Sequence, residues 1–233
     1  MRYRMRRISV VIVVAVLATW WISANAQPVQ APQDTAPTSI VTIPHDGQFA
    51  RSVLETLAVK GRAPKTNYAR TQFGSGWDTT NGCDMRNIIL KRDLTNVVVD
   101  ESCKVTKGTL NDPYTGKLIE FVRGDTTSDD VQIDHVIALS NAWQTGAQQL
   151  TKEQRVALAN DPLELLAVDG PANQAKGDGD AATWLPPNKA FRCQYIARQI
   201  AVKAKYTLWV TLPEKQAMQR VLDACPTQQL PVK

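Results

Sequence analysis

The stretch from Asp130 to Asp178 constrains this chain more than any other. It opens Asp130-Val131-Gln132-Ile133-Asp134-His135-Val136, resumes at Asn160-Asp161-Pro162-Leu163-Glu164-Leu165-Leu166-Ala167-Val168, and ends Gly170-Pro171-Ala172-Asn173-Gln174-Ala175-Lys176-Gly177-Asp178. The first two segments are rich in Val, Ile and Leu and read as strands. Gly170-Pro171 opens a short helix, because proline is tolerated in a first helical turn. The order is therefore strand, long excursion, strand, helix, with Asp-His closing the first strand and Asn173 in the first turn of the helix. Neighbours in a strand point to opposite faces. Asp134 and His135 can serve one point only if the strand ends or bulges there. A strand-to-helix corner would put an oxygen donor and an imidazole on either side of a phosphate, the minimum equipment for metal-assisted phosphodiester cleavage.

The rest of the chain reads as a mixed α+β domain. Phe49, Val53, Leu54 and Leu57 recur at helical spacing over residues 47–59. Tyr68, Phe73 and Trp77 are aromatic plugs in a loop with Gly74-Ser75-Gly76. Residues 83–94 read as a helix, and 97–99 and 103–110 as strands. Asn111-Asp112-Pro113-Tyr114-Thr115-Gly116 is a turn by composition, and 117–122 is the return strand of a β-hairpin. Residues 137–144 are helical, Thr151 and Gln154 form a capping box, Asn188 caps a helix to about Lys205, and Thr211 before Pro213-Glu214 starts a last helix.

The N-terminus carries an address. Arg2, Arg4, Arg6 and Arg7 precede an apolar run from Ile8 to Ile22, followed by Ala24-Asn25-Ala26. That is the pattern of a secretory signal, residues 1–26, cut after Ala26, with an uncleaved membrane anchor as the alternative. The apolar run is short for a bilayer-spanning helix, so no stable membrane association is expected after cleavage. Residues 27–45, rich in Pro, Gln, Thr and Ala, read as a flexible linker, and 46–228 as the domain, with its core at about 130–180. The signal holds four of the 27 basic residues and none of the 22 acidic ones, leaving the exported chain at +1. Bulk charge therefore gives little support for nucleic-acid binding.

Cys83, Cys103, Cys193 and Cys225 all lie in the exported part, which points to two disulfides. Four cysteines allow three pairings. Cys83–Cys103 and Cys193–Cys225 are favoured because each pair is close in sequence. A zinc site is disfavoured, because there is no C-x-x-C and the chain holds only two histidines.

Candidate chemistry centres on His135, Asp134 and Asn173. The amide oxygen of Asn173 suits a hard cation, and Lys176, three residues on, adds positive charge as a candidate for binding the phosphate of the substrate. Asn160 either stops a helix or ties the excursion to the backbone near His135 and fixes the imidazole. Arg86, Arg123 and Arg192 are candidates for phosphate contacts. No interleaved aromatic-basic pattern reads bases, which argues for weakly sequence-specific, backbone-led binding.

Together, Asp134-His135-Val136, Asn160 with Leu163-Glu164-Leu165-Leu166, and Asn173-Gln174-Ala175-Lys176-Gly177-Asp178 resemble the ββα-metal fold of HNH nucleases. With Asp112-Pro113-Tyr114-Thr115-Gly116 and Trp184-Leu185-Pro186-Pro187-Asn188, the resemblance is to secreted bacterial HNH proteins whose catalytic domain is similar to that of GmrSD-type restriction enzymes. It covers roughly residues 50–225. The resemblance implies His135 as general base, Asn160 as the residue orienting it, and Asp134 and Asn173 as ligands of one divalent metal, Mg²⁺ or Mn²⁺. The family's last position is often His, so Asn173 leaves metal preference open. The implied protein is a monomeric secreted endonuclease acting on DNA, with RNA as a second substrate. The alternative is a non-catalytic extracellular protein that binds nucleic acid or cell wall on the same fold.

Overall fold

The computed structural model describes residues 47–231 except Thr126. The signal and the whole of the linker read from the sequence lie outside the described residues. Within them the chain forms an α+β domain of seven helices and three small sheets, closed by two disulfides. The bridges are Cys83–Cys103 and Cys193–Cys225, spanning 20 and 32 residues. No described helix is long and apolar enough to cross a membrane.

The first helix, α1 (Ala50–Thr56), buries Ala50, Val53 and Leu54, and is followed by a 3₁₀ turn at Arg70–Phe73. A two-residue hairpin, β1 (Thr79–Thr80) and β2 (Cys83–Asp84), leads into α2 (Met85–Asp93). Asp84 caps α2 by accepting from the Asn87 amide. Strands β3 (Thr95–Val99), β4 (Val105–Asn111) and β5 (Leu118–Val122) form an antiparallel sheet in that order. The hairpin expected from the Asn111–Gly116 turn is β4–β5.

The central stretch folds as β6 (Val131–His135), paired antiparallel with β7 (Leu165–Asp169), and α5 (Gly170–Lys176). The excursion between the strands holds α3 (Leu139–Gln144) and α4 (Lys152–Ala159). Two longer helices complete the fold, α6 (Arg192–Lys205) and α7 (Leu212–Asp223). Both expected capping boxes are present, Thr151 with Gln154 and Thr211 with Glu214. The C-terminal segment returns to α1, and Leu230 is buried in the same core.

The apolar run at Leu165–Val168 has a physical cause. Leu165 and Ala167 face a small core with Ile89 and Leu90 of α2, Val105, Leu110 and Phe121. Leu166 and Val168 face the larger core around Tyr195, Ile196 and Ile200 of α6. A strand buried on both faces loses the alternation of a half-solvated one. Gly170 is required where α5 leaves β7, because a Cβ there would collide with the Asp129 carbonyl.

Candidate functional site

Strand β6 ends at His135, which answers the problem of neighbouring side chains pointing apart. The corner beyond it is pinned: Val136 N donates to the Glu164 carbonyl, Ile137 N to the Glu164 carboxyl, and Gln199 Nε2 to the Val136 carbonyl at 2.8 Å. As a result Asp134, His135 and Asn173 line one polar cleft of about 440 Å³. Tyr68, Arg70, Trp77, Arg86, Gln132 and Asp178 complete its walls. A smaller hollow of about 240 Å³ adjoins it, sharing Arg70, Trp77 and His135.

His135 is held from two directions. Its Nε2 lies 3.0 Å from the Ala159 carbonyl. A carbonyl only accepts, so Nε2 carries the hydrogen and Nδ1 is left as the acceptor. The indole of Trp77 stacks on the ring. Burial, with smaller contributions from the charges of Arg70 and Lys176, lowers the imidazole pKa to about 3. The ring is therefore neutral near neutrality.

Asp134 is buried and its two oxygens have separate partners. Lys176 Nζ donates to Oδ1 at 2.9 Å and also to the His135 carbonyl at 2.8 Å. The Tyr114 hydroxyl donates to Oδ2. Burial first, then the Asp134 charge, raises the Tyr114 pKa well above its ordinary value, so it stays a donor. Asn173 Nδ2 donates to Gln132 Oε1 at 2.9 Å, and its side-chain Oδ1 has no hydrogen-bond partner among the described residues. Among the described residues no three His, Cys, Asp or Glu side chains gather as a metal site. A carboxylate has roughly four lone-pair positions, so Asp134 retains acceptor capacity beside Lys176 and Tyr114. That carboxylate, the Asn173 amide oxygen and water are the hard oxygen donors that suit Mg²⁺ or Mn²⁺. The residues fit such an ion in kind, with Lys176 sharing the carboxylate.

Several sequence expectations need correction. Lys176 is 3% exposed and its ammonium neutralises Asp134; it is not a solvent-facing phosphate ligand. The cause is the packing of α5 against β6, which turns this helix face inward. Asn160 ends α4, as its helix-stop reading requires, but its side chain does not reach the backbone near His135. Its Oδ1 accepts from Asp78 N at 2.9 Å and its Nδ2 donates to the Val156 carbonyl. The neighbouring Ala159 carbonyl holds the imidazole instead, so Asn160 bears on the His135 ring only through Asp78, next to Trp77, and through the end of α4. Arg123 is tied to the Val105 carbonyl and Asn87, and Arg192 to the Pro186 carbonyl; neither lines the cleft. Arg86 does line it, with its guanidinium donating to the Ser128 and Val131 carbonyls at 3.1 Å.

Sequence reasoning did not assign Tyr114, Trp77, Arg70 or Gln132 to the site. Tyr114 carried a signal, a large aromatic in a turn of small polar residues, which must find a packing partner. It meets Trp184 and Tyr195 with ring centroids 5.0 and 5.6 Å away. Asp112 in the same turn accepts from Asp169 N at 2.8 Å, tying the turn to the start of α5.

Fold and site together define an α+β domain with an imidazole, a carboxylate and an amide in one polar cleft. The chain belongs to the family described as GmrSD restriction endonucleases, C-terminal domain, whose model matches residues 84–221. That membership points to a nuclease-related function. The chain is also 39% identical over 214 residues, 91% of its length and 97% of the relative's, to an uncharacterized secreted protein of Arthroderma benhamiae. This relative is fungal, so it does not carry the bacterial attribution of the resemblance. No solved structure matches.

Proposed function

We propose that this protein is an exported, divalent-metal-dependent HNH-type endonuclease that hydrolyses phosphodiesters in DNA, with RNA as a second substrate and little sequence preference. The observation that carries the reading is the convergence of Asp134, His135 and Asn173 on one cleft. Family membership supports nuclease chemistry, and the secreted relative and the two disulfides support export.

In this reading His135 accepts a proton from water through Nδ1, while the Ala159 carbonyl holds the opposite nitrogen. An anionic phosphate beside the ring favours the imidazolium and raises the depressed pKa toward a working range. Asp134 and Asn173 would hold the ion, which when bound supplies positive charge to the phosphate oxygens. Lys176 fixes the Asp134 carboxylate and the His135 backbone in one geometry.

One observation favours a second reading, a non-catalytic nucleic-acid- or wall-binding protein: Asp134 already has a buried ammonium and a buried hydroxyl as partners. A plasmid assay separates the two. The exported protein should nick supercoiled DNA with Mg²⁺ or Mn²⁺, and chelator or His135→Ala should abolish it. Unchanged nicking by His135→Ala rejects the assigned base, and binding without cleavage across a metal panel selects the second reading.

A further inference from the structure

We infer that Arg70 is the phosphate-binding residue of this cleft, supplied by a segment that lies ahead of the family-matched residues 84–221. The inference rests on the reading of the cleft as a phosphodiester site.

Arg70 lines both hollows, and His135 and Trp77 are shared between them. The charges around the cleft are otherwise matched. Asp134 has Lys176, and Asp178 has Lys65 at 3.1 Å. Arg86 is occupied by two backbone carbonyls. The Arg70 side chain makes no hydrogen bond or ion pair among the described residues, and the residue is exposed at the rim. A planar guanidinium with five donors suits two oxygens of one phosphate.

The mount is rigid. Arg70 opens the 3₁₀ turn Arg70–Phe73, and Phe73 is buried with its ring against Tyr68 and Trp143. Arg155 donates to both the carbonyl and the side-chain oxygen of Gln72 in the same turn. A cation presented on a fixed turn, beside a fixed imidazole, can define where a phosphate sits.

The test is binding of a short fluorescein-labelled DNA to the exported protein in chelator, as a function of salt, for wild type, Arg70→Ala, Arg70→Lys and Arg220→Ala. Arg220 is a control, an exposed arginine in a hollow that does not include the cleft residues. Arg70→Ala should weaken binding by roughly tenfold or more, as expected for losing a charged hydrogen bond. Its log–log salt slope should fall by about one. Arg70→Lys should keep the slope and lose part of the affinity, and Arg220→Ala should match wild type. Equal affinity and slope for Arg70→Ala and wild type overturn the inference, even if the protein cleaves DNA. Binding that depends on Arg70 in a protein that never cleaves upholds the inference and overturns the nuclease reading. No DNA binding by wild type overturns both.

Discussion

The indole of Trp77 lies flat against the imidazole of His135, with ring centroids 5.6 Å apart and planes 9° from parallel. The stack shields one face of the ring from water and fixes its plane. It depends on the loop at Gly74-Ser75-Gly76, where Gly74 sits at φ 108°, a conformation that side chains other than glycine rarely adopt.

Loss of that stack should therefore be felt in turnover more than in folding. Trp77→Ala is expected to lower plasmid nicking by roughly tenfold, the scale of one aromatic pair, while Trp77→Phe keeps most of it. Circular dichroism of both variants checks that the fold is intact. Equal nicking by Trp77→Ala and wild type would show that the indole does not position the base.

Lys176 neutralises Asp134 inside the protein, with 0% and 6% of the two side chains exposed. Lys176→Met leaves a buried carboxylate without its cation and should cost about 3–5 kcal/mol of stability. A divalent ion that binds Asp134 would then replace the missing charge. Mg²⁺ or Mn²⁺ should raise the melting temperature of this variant more than that of wild type. An equal shift in both proteins argues against Asp134 as a ligand.

Glu164 is fully buried at the corner after His135, and burial raises its pKa well above the ordinary carboxylate range. The folded chain holds this proton more tightly than the unfolded chain. The stabilisation is complete below the unfolded glutamate pKa of about 4.3 and is lost as pH rises through the folded value. Glu164→Gln keeps an acceptor for Ile137 N and removes the titration. Urea midpoints across pH should show the variant gaining on wild type from acid to alkaline conditions. Parallel curves would mean that Glu164 is ionised in the fold.

A second buried ion pair, Lys203–Glu214, ties α6 to α7 at 3.0 Å, with exposures of 0% and 1%. The contact is an ion pair without hydrogen-bond geometry at Glu214 Oε1; Lys203 Nζ also donates to the Trp209 carbonyl. Lys203→Met should destabilise by about 3–5 kcal/mol, and the double variant Lys203→Met/Glu214→Gln by clearly less. Denaturant unfolding of the two variants measures the difference. Similar losses in both would place the energy in packing of the lysine stem.

The elements that were legible in the sequence are those whose causes are local. Thr151 with Gln154 and Thr211 with Glu214 announce helix starts within one turn. The Asn111–Gly116 turn joins β4 and β5, and each disulfide joins cysteines close along the chain. The order strand, excursion, strand, helix also follows from apolar runs and a Gly-Pro helix start.

The composition of the cleft wall was different in kind. Trp77 reaches His135, and Arg70 comes to line the same cleft, from a stretch that carries no periodic signal, and Tyr114 reaches Asp134 from a turn. Arg123 and Arg192 looked identical to Arg70 in sequence, since nothing local tells whether a guanidinium will find a backbone carbonyl or open water. The inward face of α5 decided that Lys176 would pair with Asp134. The sequence by itself determined the central strands, the longer helices and the two capping boxes, because those depend on neighbours a few positions away; it did not show the β1–β2 hairpin, whose second strand, Cys83–Asp84, replaces the start of the helix expected over 83–94. Only the tertiary structure decided which charges stay unpaired and which are neutralised, because that depends on which side chains burial brings within bonding distance.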